Sequence, residues 1–276
     1  MSLLGRRLVY YVPRYLVLVV ITIAFVFPLY WMVVLSLDGL NTPFSLPPKL
    51  WPDFNFGNFA DAWNYAPWPR YFLNTFIVAG GTMIMVIVTS VLAGYAFASM
   101  SFPGKALVFA CVLGMYMVPQ EITLVPNYVI LTDLHWMNSF QAQIVPFGAS
   151  IFGIFLMRQF FLTLPKDLWE AAQLDGIGHF KFLWLIALPL ARPAVITVAL
   201  FHFVAGWNSF LWPLIVTSDD RFRPIQVGLS SFAAADSTQP VLLAAGALMT
   251  TLPILVIFLF AQKQLVGGIA ATGIRG

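Results

Sequence analysis

The chain has 276 residues, of which 60% are apolar and only 9% charged, with a formal net charge of +3. A soluble domain carries about 25% charged residues, so an ordinary water-facing enzyme, a disordered tail and a solvent-exposed coiled coil are all excluded. Six apolar stretches run from end to end, each of about 20 residues or more, the length a helix needs to cross a bilayer core.

In chain order the expected spans are 15–37, 71–98, 106–128, 141–161, 193–216 and 241–262. Helices are expected, because lipid offers no partner to an open sheet edge and the runs lack the alternation of a strand. Residues 1–14 carry Arg6, Arg7 and Arg14. The apolar run that follows is too long for a signal-peptide core and is not followed by a small-residue cleavage pattern.

Of the 14 Lys and Arg, ten fall on the side of that N-terminus, among them Lys105, Arg158, Lys166, Lys181, Arg192 and Lys263. Only Lys49, Arg70, Arg221 and Arg223 fall on the other. The positive-inside rule makes the first side cytoplasmic, with residues 1–14 and the tail 263–276 both inside. The outer linker 38–70 is rich in Pro, Trp and Asn and is expected to be an ordered irregular loop lying at the interface; 218–240 is the second long outer linker. Cys111, the lone cysteine, permits no internal disulfide and reads as a small core residue.

Polar groups inside spans are costly and mark candidate path residues. Asn74 lies one turn into the second span, and Gln120 and Glu121 follow Pro119 in the third. Along a straight helix Glu121 would stand about 22 Å from the inner side, with Asn208 at a similar depth in the fifth span. Trp207 and Trp212 flank Asn208 with flat apolar faces. Simpler roles compete: a helix-end hydrogen bond for Asn74, headgroup contact for Glu121, an interfacial setting for the tryptophans. His202 reads as a buried hydrogen bonder, and His135 and His179 have no partner at metal-ligand spacing. No Lys or Arg sits deep in a span.

The most informative segment is the inner linker 163–190. Pro165 opens a helix, Asp167 and Glu170 occupy its first turns, and Gly176 ends it with φ > 0. A second helical piece is expected from His179 to about Leu188, stopped by Pro189. Leu168, Ala171, Ala172 and Asp175 share helical spacing, and the two alanines permit close approach of a partner. A stiff helix offered to a cytosolic protein and a partnerless interfacial helix both fit this pattern.

Glu170-Ala171-Ala172, three residues, Gly176, nine residues, Ile186, one residue, Leu188-Pro189 matches the EAA motif of bacterial ABC importer permeases at each fixed position. The chain resembles permeases of binding-protein-dependent carbohydrate importers, the maltose and glycerol-3-phosphate group, and most of all their second, shorter permease. Phe102-Pro103-Gly104-Lys105, Arg158-Gln159-Phe160-Phe161, Leu164-Pro165, Gly206-Trp207-Asn208 and the glycine-rich tail add to the likeness.

The resemblance implies an all-α polytopic membrane protein with six transmembrane helices in the type I ABC importer permease fold. It implies a bacterial-type cytoplasmic membrane location and a membrane core over 71–262. It further implies a heterodimer with a second permease, a cytosolic ABC ATPase dimer that binds ATP and Mg, and an extracytoplasmic solute-binding protein. No catalytic residue, metal, cofactor or nucleic acid is implied for this chain. Glu170, Ala171, Ala172, Asp175, Gly176, Leu188 and Pro189 would form the ATPase-docking element, and Gly273, Ile274, Arg275 and Gly276 a nucleotide-sensing tail. The implied solute is a sugar or oligosaccharide, with glycerol-3-phosphate or glycerophosphodiesters as the alternative. A secondary transporter is a distant rival, since Glu121 is the lone carboxylate well within a span and no internal repeat is visible. An intramembrane enzyme lacks its motifs.

Overall fold

The computed structural model describes residues 3–40, 49–234 and 240–273, and its regular elements are all helical, with no strand among the described residues. In chain order they are α1 (Leu3–Ser36), α2 (Gly57–Tyr65), α3 (Trp68–Ser99), α4 (Lys105–Met115), α5 (Leu124–Asp133), α6 (Phe140–Ile144) and α7 (Ile151–Leu162). Then follow α8 (Lys166–Leu174), α9 (His179–Phe182), α10 (Leu188–Leu190), α11 (Arg192–Trp207), α12 (Leu211–Val216), α13 (Ile225–Ala233) and α14 (Pro240–Gly273). Ile274, Arg275 and Gly276, three of the four residues of the expected nucleotide-sensing tail, lie outside the described residues.

Among the described residues, three stretches are long and apolar enough to span a membrane as single helices: Pro13–Ser36, Trp68–Ser99 and Pro240–Phe260. Three bent pairs pass the same test together: Lys105–Met115 with Gln120–Asp133 at 90°, Phe140–Phe147 with Ile151–Leu162 at 46°, and His179–Leu190 with Arg192–Trp207 at 79°. The third, fourth and fifth spans are therefore not the straight helices that hydropathy suggests.

Each break has a local cause. After α4 the amides of Tyr116, Met117 and Val118 bond three residues back, at 3.0, 3.1 and 3.2 Å, and Pro119 then adopts an extended conformation with ψ 136°. Pro119 has no N–H to continue a helix. Gln120 and Glu121 consequently sit in a short 3₁₀ turn, Gln120–Thr123, and a depth counted along a straight helix does not apply to them. In the fourth span Ser139 and Ser150 cap successive helices, accepting from Ala142 N at 3.2 Å and Gly153 N at 3.1 Å. In the fifth, the 79° bend falls at Ala191, which takes ψ 5° between α10 and α11 and precedes the Pro193 of the first turn of α11; α11 then stops at Trp207 with Asn208 as its C-terminal cap, and α12 restarts at Leu211.

The chain divides into two compact units, Met1–Pro67 with Leu229–Leu252, and Trp68–Gly228 with Pro253–Gly276. In the first, the described part of the 38–70 linker, residues 49–67, includes the helix α2, which an irregular loop did not anticipate. Asn58 on α2 donates from Nδ2 to Ser36 O and Asp38 O, both at 2.9 Å, while Lys49 pairs with Asp53 at 3.0 Å. Tyr65 packs on Phe232, ring centroids 4.5 Å apart. The exposed face of α1, including Leu16, Val20, Ile23 and Phe25, suits a helix whose solvent is lipid.

In the second unit α3 is the central element, packed along α7 and α11. The approach of α3 to α7 needs Gly94: a Cβ there would stand 2.7 Å from Met157 Cβ and 2.9 Å from the Arg158 backbone nitrogen. Small residues at helix contacts are the membrane solution to close packing. The Phe102-Pro103-Gly104-Lys105 turn closes α3, Lys105 donating to the carbonyls of Met100 at 2.8 Å and Ala98 at 3.3 Å. Cys111 is exposed on α4, not the core residue its apolar surroundings suggest.

Candidate functional site

The 163–190 linker is built on the same core as the membrane helices. Ala172, Phe182, Leu183, Ala187 and Ala191 join Val86, Val91 and Tyr95 of α3 and Met157 and Phe161 of α7 in one buried cluster. Helix α8 ends in a Schellman arrangement: Ile177 N donates to Ala172 O at 2.8 Å, Gly176 N to Gln173 O at 3.0 Å, and Gly176 takes φ +74°. Ile177 closes the motif by packing against the cluster.

The faces of α8 are then fixed. Trp169 and Ala172 turn inward, and Ala172 is only 3% exposed. Asp167, Leu168, Glu170, Ala171, Gln173, Leu174 and Asp175 are exposed, Leu174 at 90%. This corrects the grouping of Ala171 with Ala172: adjacent residues on a helix point about 100° apart, and only Ala171 is presented outward. Beyond the turn, helix does not stop at Pro189 as expected. A π turn spans Leu183–Ala187, in which Leu188 N donates to Leu183 O, and α10 carries Pro189 inside it. Widening the helix just before the proline accommodates its missing donor. Leu188 is half-buried on the cluster and Pro189 is exposed.

A second feature is a cavity of about 630 Å³ in the same unit. Its wall takes Val78 and Thr82 from α3, the Gln120–Thr123 turn except Ile122, Leu124 and Asn127 from α5, Gln143 from α6, and His202 from α11. Ser150, Ser209, Phe147 and Trp212 complete much of the remainder. Trp212 is held by its Nε1, which donates to Ala142 O at 2.8 Å, and by an edge contact with Phe147 at 5.7 Å. His202 Nδ1 bonds Val198 O at 2.9 Å; a carbonyl only accepts, so Nδ1 carries the proton. No metal-binding cluster of His, Cys, Asp or Glu occurs among the described residues.

Of the path candidates, Glu121, Gln120 and Trp212 line this cavity; Asn74, Trp207 and Asn208 do not. Asn74 is fully buried and donates to Arg223 O at 2.9 Å and Asp220 O at 3.4 Å, pinning an outer loop. Trp207 is fully buried in an aromatic stack with Phe76 at 5.1 Å and Phe203 at 6.0 Å. Asn208 turns back on its own helix, donating to Val204 O at 2.9 Å. The rule that polar groups in spans are functional thus selects structural amides as readily as lining ones.

The same rule applied to Gln143 would have found a residue that the sequence reading passed over. Its Nε2 donates to Phe222 O at 3.0 Å and Ser139 O at 3.3 Å, and its buried Oε1 has no partner. The contacts of Trp169 and His179, whose rings stack with centroids 4.1 Å apart, had no sequence signal, because the two residues meet across the Gly176 turn.

Comparison with known proteins accounts for this architecture. Residues 76–266 match the family model for the binding-protein-dependent transport system inner membrane component. The chain is 30% identical to the arabinooligosaccharides transport system permease protein AraQ of Bacillus subtilis, over 97% of each chain. It is 33% identical to the sn-glycerol-3-phosphate transport system permease protein UgpE of Pectobacterium atrosepticum, over 92% of this chain and 94% of that one. The fold matches a crystal structure of a bacterial ABC transporter involved in import of the acidic polysaccharide alginate, with TM-score 0.84 and 18% identity, covering 95% of this chain and 98% of that one. The chain therefore belongs to the inner-membrane permease family of binding-protein-dependent ABC importers, and is a transport subunit rather than an enzyme.

Proposed function

We propose that this permease pairs with a second permease to form the path for a sugar or oligosaccharide delivered by an external solute-binding protein. The AraQ relative, similar over nearly its whole length, supports the saccharide reading. The UgpE relatives support glycerol-3-phosphate as the second reading. In this proposal a separate cytosolic ATPase dimer binds ATP and Mg, and both termini and the 163–190 linker lie on its side of the membrane.

The observation that carries the coupling is the two-sided character of α8. Its inner face, Trp169 and Ala172, is fixed in the core shared with α3 and α7, while its outer face presents Glu170, Ala171 and Leu174. An ATPase that grips the outer face moves the inner face with it, because packed interiors transmit displacement. Closure of the ATPase dimer on ATP then rocks the membrane helices. Glu170 supplies the polar contact, Ala171 the close approach, and Gly176 with Asp175 the rigid end of the lever.

Co-purification in mild detergent tests this. The tagged chain expressed with its neighbouring genes should bring down a second permease and an ATPase, and Ala171→Arg should lose the ATPase while retaining the permease. A chain that purifies without an ATPase, or an Ala171→Arg variant that retains it, overturns the docking assignment.

A further inference from the structure

Two segments to which neither the docking helix nor the solute path gives a role meet where one membrane span ends and the next begins. The span Trp68–Ser99 stops there, and Lys105 opens α4. Lys105 Nζ donates to Ala98 O at 3.3 Å and Met100 O at 2.8 Å, while Arg158 Nε of α7 donates to Phe97 O at 3.2 Å. The consecutive carbonyls of Phe97 and Ala98 thus draw two cations to one place. The Arg158 guanidinium lies over the Phe109 ring, 4.2 Å from its centroid, and Phe109 packs on Phe97 at 5.1 Å. Both cations are half-buried.

Their charge is not balanced by the protein around them. Helices α3, α4 and α7 contain no aspartate or glutamate, and among the described residues neither Lys105 nor Arg158 forms an ion pair. The carbonyls closing α3 carry only the partial charge of a helix C-terminus, which orients the cations without neutralising them. The guanidinium keeps donors beyond the one given to Phe97 O. Around the pair, Met100, Phe102, Leu107 and Val108 are exposed apolar side chains. An occupant that suits this place carries an anion at one end and hydrocarbon at the other.

We propose that Lys105 and Arg158 form a binding site for the phosphate of an anionic phospholipid, with its acyl chains along the exposed side of α4. The planar Nη pair of Arg158 meets two phosphate oxygens, and Lys105 adds a point charge. Phe109 holds the guanidinium plane in place from below. Basic pockets between membrane helices recognise lipid headgroups by this chemistry. Neither the solute nor the ATPase enters the proposal, so it stands or falls apart from them.

A fluorescent label beside the pair tests it in the complete transporter in lipid nanodiscs. Cys111→Ser removes the exposed native thiol, and Val108→Cys, one helical turn from Lys105, carries bimane. Quenching by doxyl-labelled phosphatidylglycerol is compared with quenching by doxyl-labelled phosphatidylcholine at equal mole fraction. The anionic lipid should be preferred about fivefold, the ratio that one basic group near a charged lipid supplies, and the preference should fall as salt rises. A label at Val129→Cys, exposed on α5, should show no such preference. Lys105→Gln should lower the ratio at Val108→Cys, Arg158→Lys should keep part of it, and Lys105→Gln with Arg158→Gln should bring it to one. Gel filtration of each complex checks that it is folded, and the two single variants carry the test if the double one is not.

Equal preference at both labels would mean diffuse attraction to a basic protein and overturns the site. So does a ratio of one beside Lys105 in the parent, or a preference that Lys105→Gln and Arg158→Lys both leave intact. Millimolar inorganic phosphate should leave the quenching ratio unchanged, because it brings no acyl chains. Displacement of the labelled lipid by phosphate would make a soluble anion the occupant and overturns the lipid assignment.

Discussion

His179 lies flat against Trp169, ring centroids 4.1 Å apart and planes 13° from parallel, while its Nδ1 is hydrogen-bonded to Tyr95 Oη at 3.0 Å. Trp169 belongs to α8, His179 opens α9 and Tyr95 stands near the C-terminal end of α3, so one imidazole ties the exposed helix and its continuation to a membrane span. Phe182 adds an edge contact with Trp169 at 5.1 Å. The exposed ridge of α8 is thus mounted on a clamp of polar and aromatic contacts.

If that clamp transmits force, Tyr95→Phe should separate transport from ATP hydrolysis. The variant keeps the ring packing against Phe161 and Phe182 and loses one hydrogen bond, worth about 0.5–1.5 kcal/mol. The complex should still assemble and hydrolyse ATP, with fewer solute molecules moved per ATP. His179→Ala, which also removes the stack, should lower the ratio further. Solute uptake and phosphate release in the same proteoliposomes measure it; an unchanged ratio in both variants makes the clamp a purely structural contact.

Ala171 and Ala172 should respond oppositely to the same substitution. Ala172→Glu places a carboxylate in the cluster formed with Val91, Tyr95 and Phe182, a change that costs several kcal/mol, and the folded chain should be recovered poorly, with a lowered melting temperature. Ala171→Glu adds a charge to an exposed face and should leave melting unchanged while ATPase binding falls. Thermal unfolding and pulldown of the two variants, side by side, check this. Similar melting of both would mean that α8 is not anchored through Ala172.

Much of the fold was legible because lipid imposes length and polarity constraints that a hydropathy reading captures. What was hidden was geometry that depends on partners distant in sequence. Pro119 was read as lying within a continuous third span, yet the 90° turn at this break moves Glu121 out of a helix and into a cavity wall. Asn74 and Gln143 are both amides near span ends and look alike in sequence. Asn74 Nδ2 is consumed by loop carbonyls without Asn74 lining the cavity, whereas Gln143 bridges to a loop carbonyl and also contributes to the cavity wall. Helical spacing placed Ala172 near Ala171, but which of the two faced inward was decided by Tyr95, Phe182 and Ile177, residues of other segments.

The outer loop gives a pH signature of definite sign. Asp219 meets Arg221 at 2.6 Å and also accepts from its backbone N–H at 2.8 Å, which holds the carboxyl below the usual aspartate range. A depressed value means that the ionised form is favoured in the folded loop. Its contribution is present above the unfolded value of about 3.9 and is lost as pH falls through the folded one. The pair is solvent-exposed, so the effect on global stability is small. NMR of isotopically labelled aspartate carboxyls should show Asp219 titrating below the ordinary value and returning towards it in Arg221→Ala. A midpoint that Arg221→Ala does not move would remove the pairing as its cause.

Asn74 should matter for the outer loop rather than for passage of solute. Its Nδ2 bonds to Arg223 O and Asp220 O, Thr75 Oγ1 accepts from Ile225 N at 2.8 Å, and Tyr71 Oη donates to Asp220 Oδ1 at 3.0 Å, so three neighbours on α3 lace residues 220–225 to the span. Asn74→Ala leaves buried carbonyls unpaired at a cost of about 1–3 kcal/mol. The loop should open to trypsin at Arg221 and Arg223 more readily, while solute uptake per ATP in proteoliposomes stays as in the parent. Asn74→Asp, which aims a carboxylate at the same carbonyls, should loosen the loop further. A loop cut at the parental rate in both variants, or lost uptake with an intact loop, would return Asn74 to the solute path.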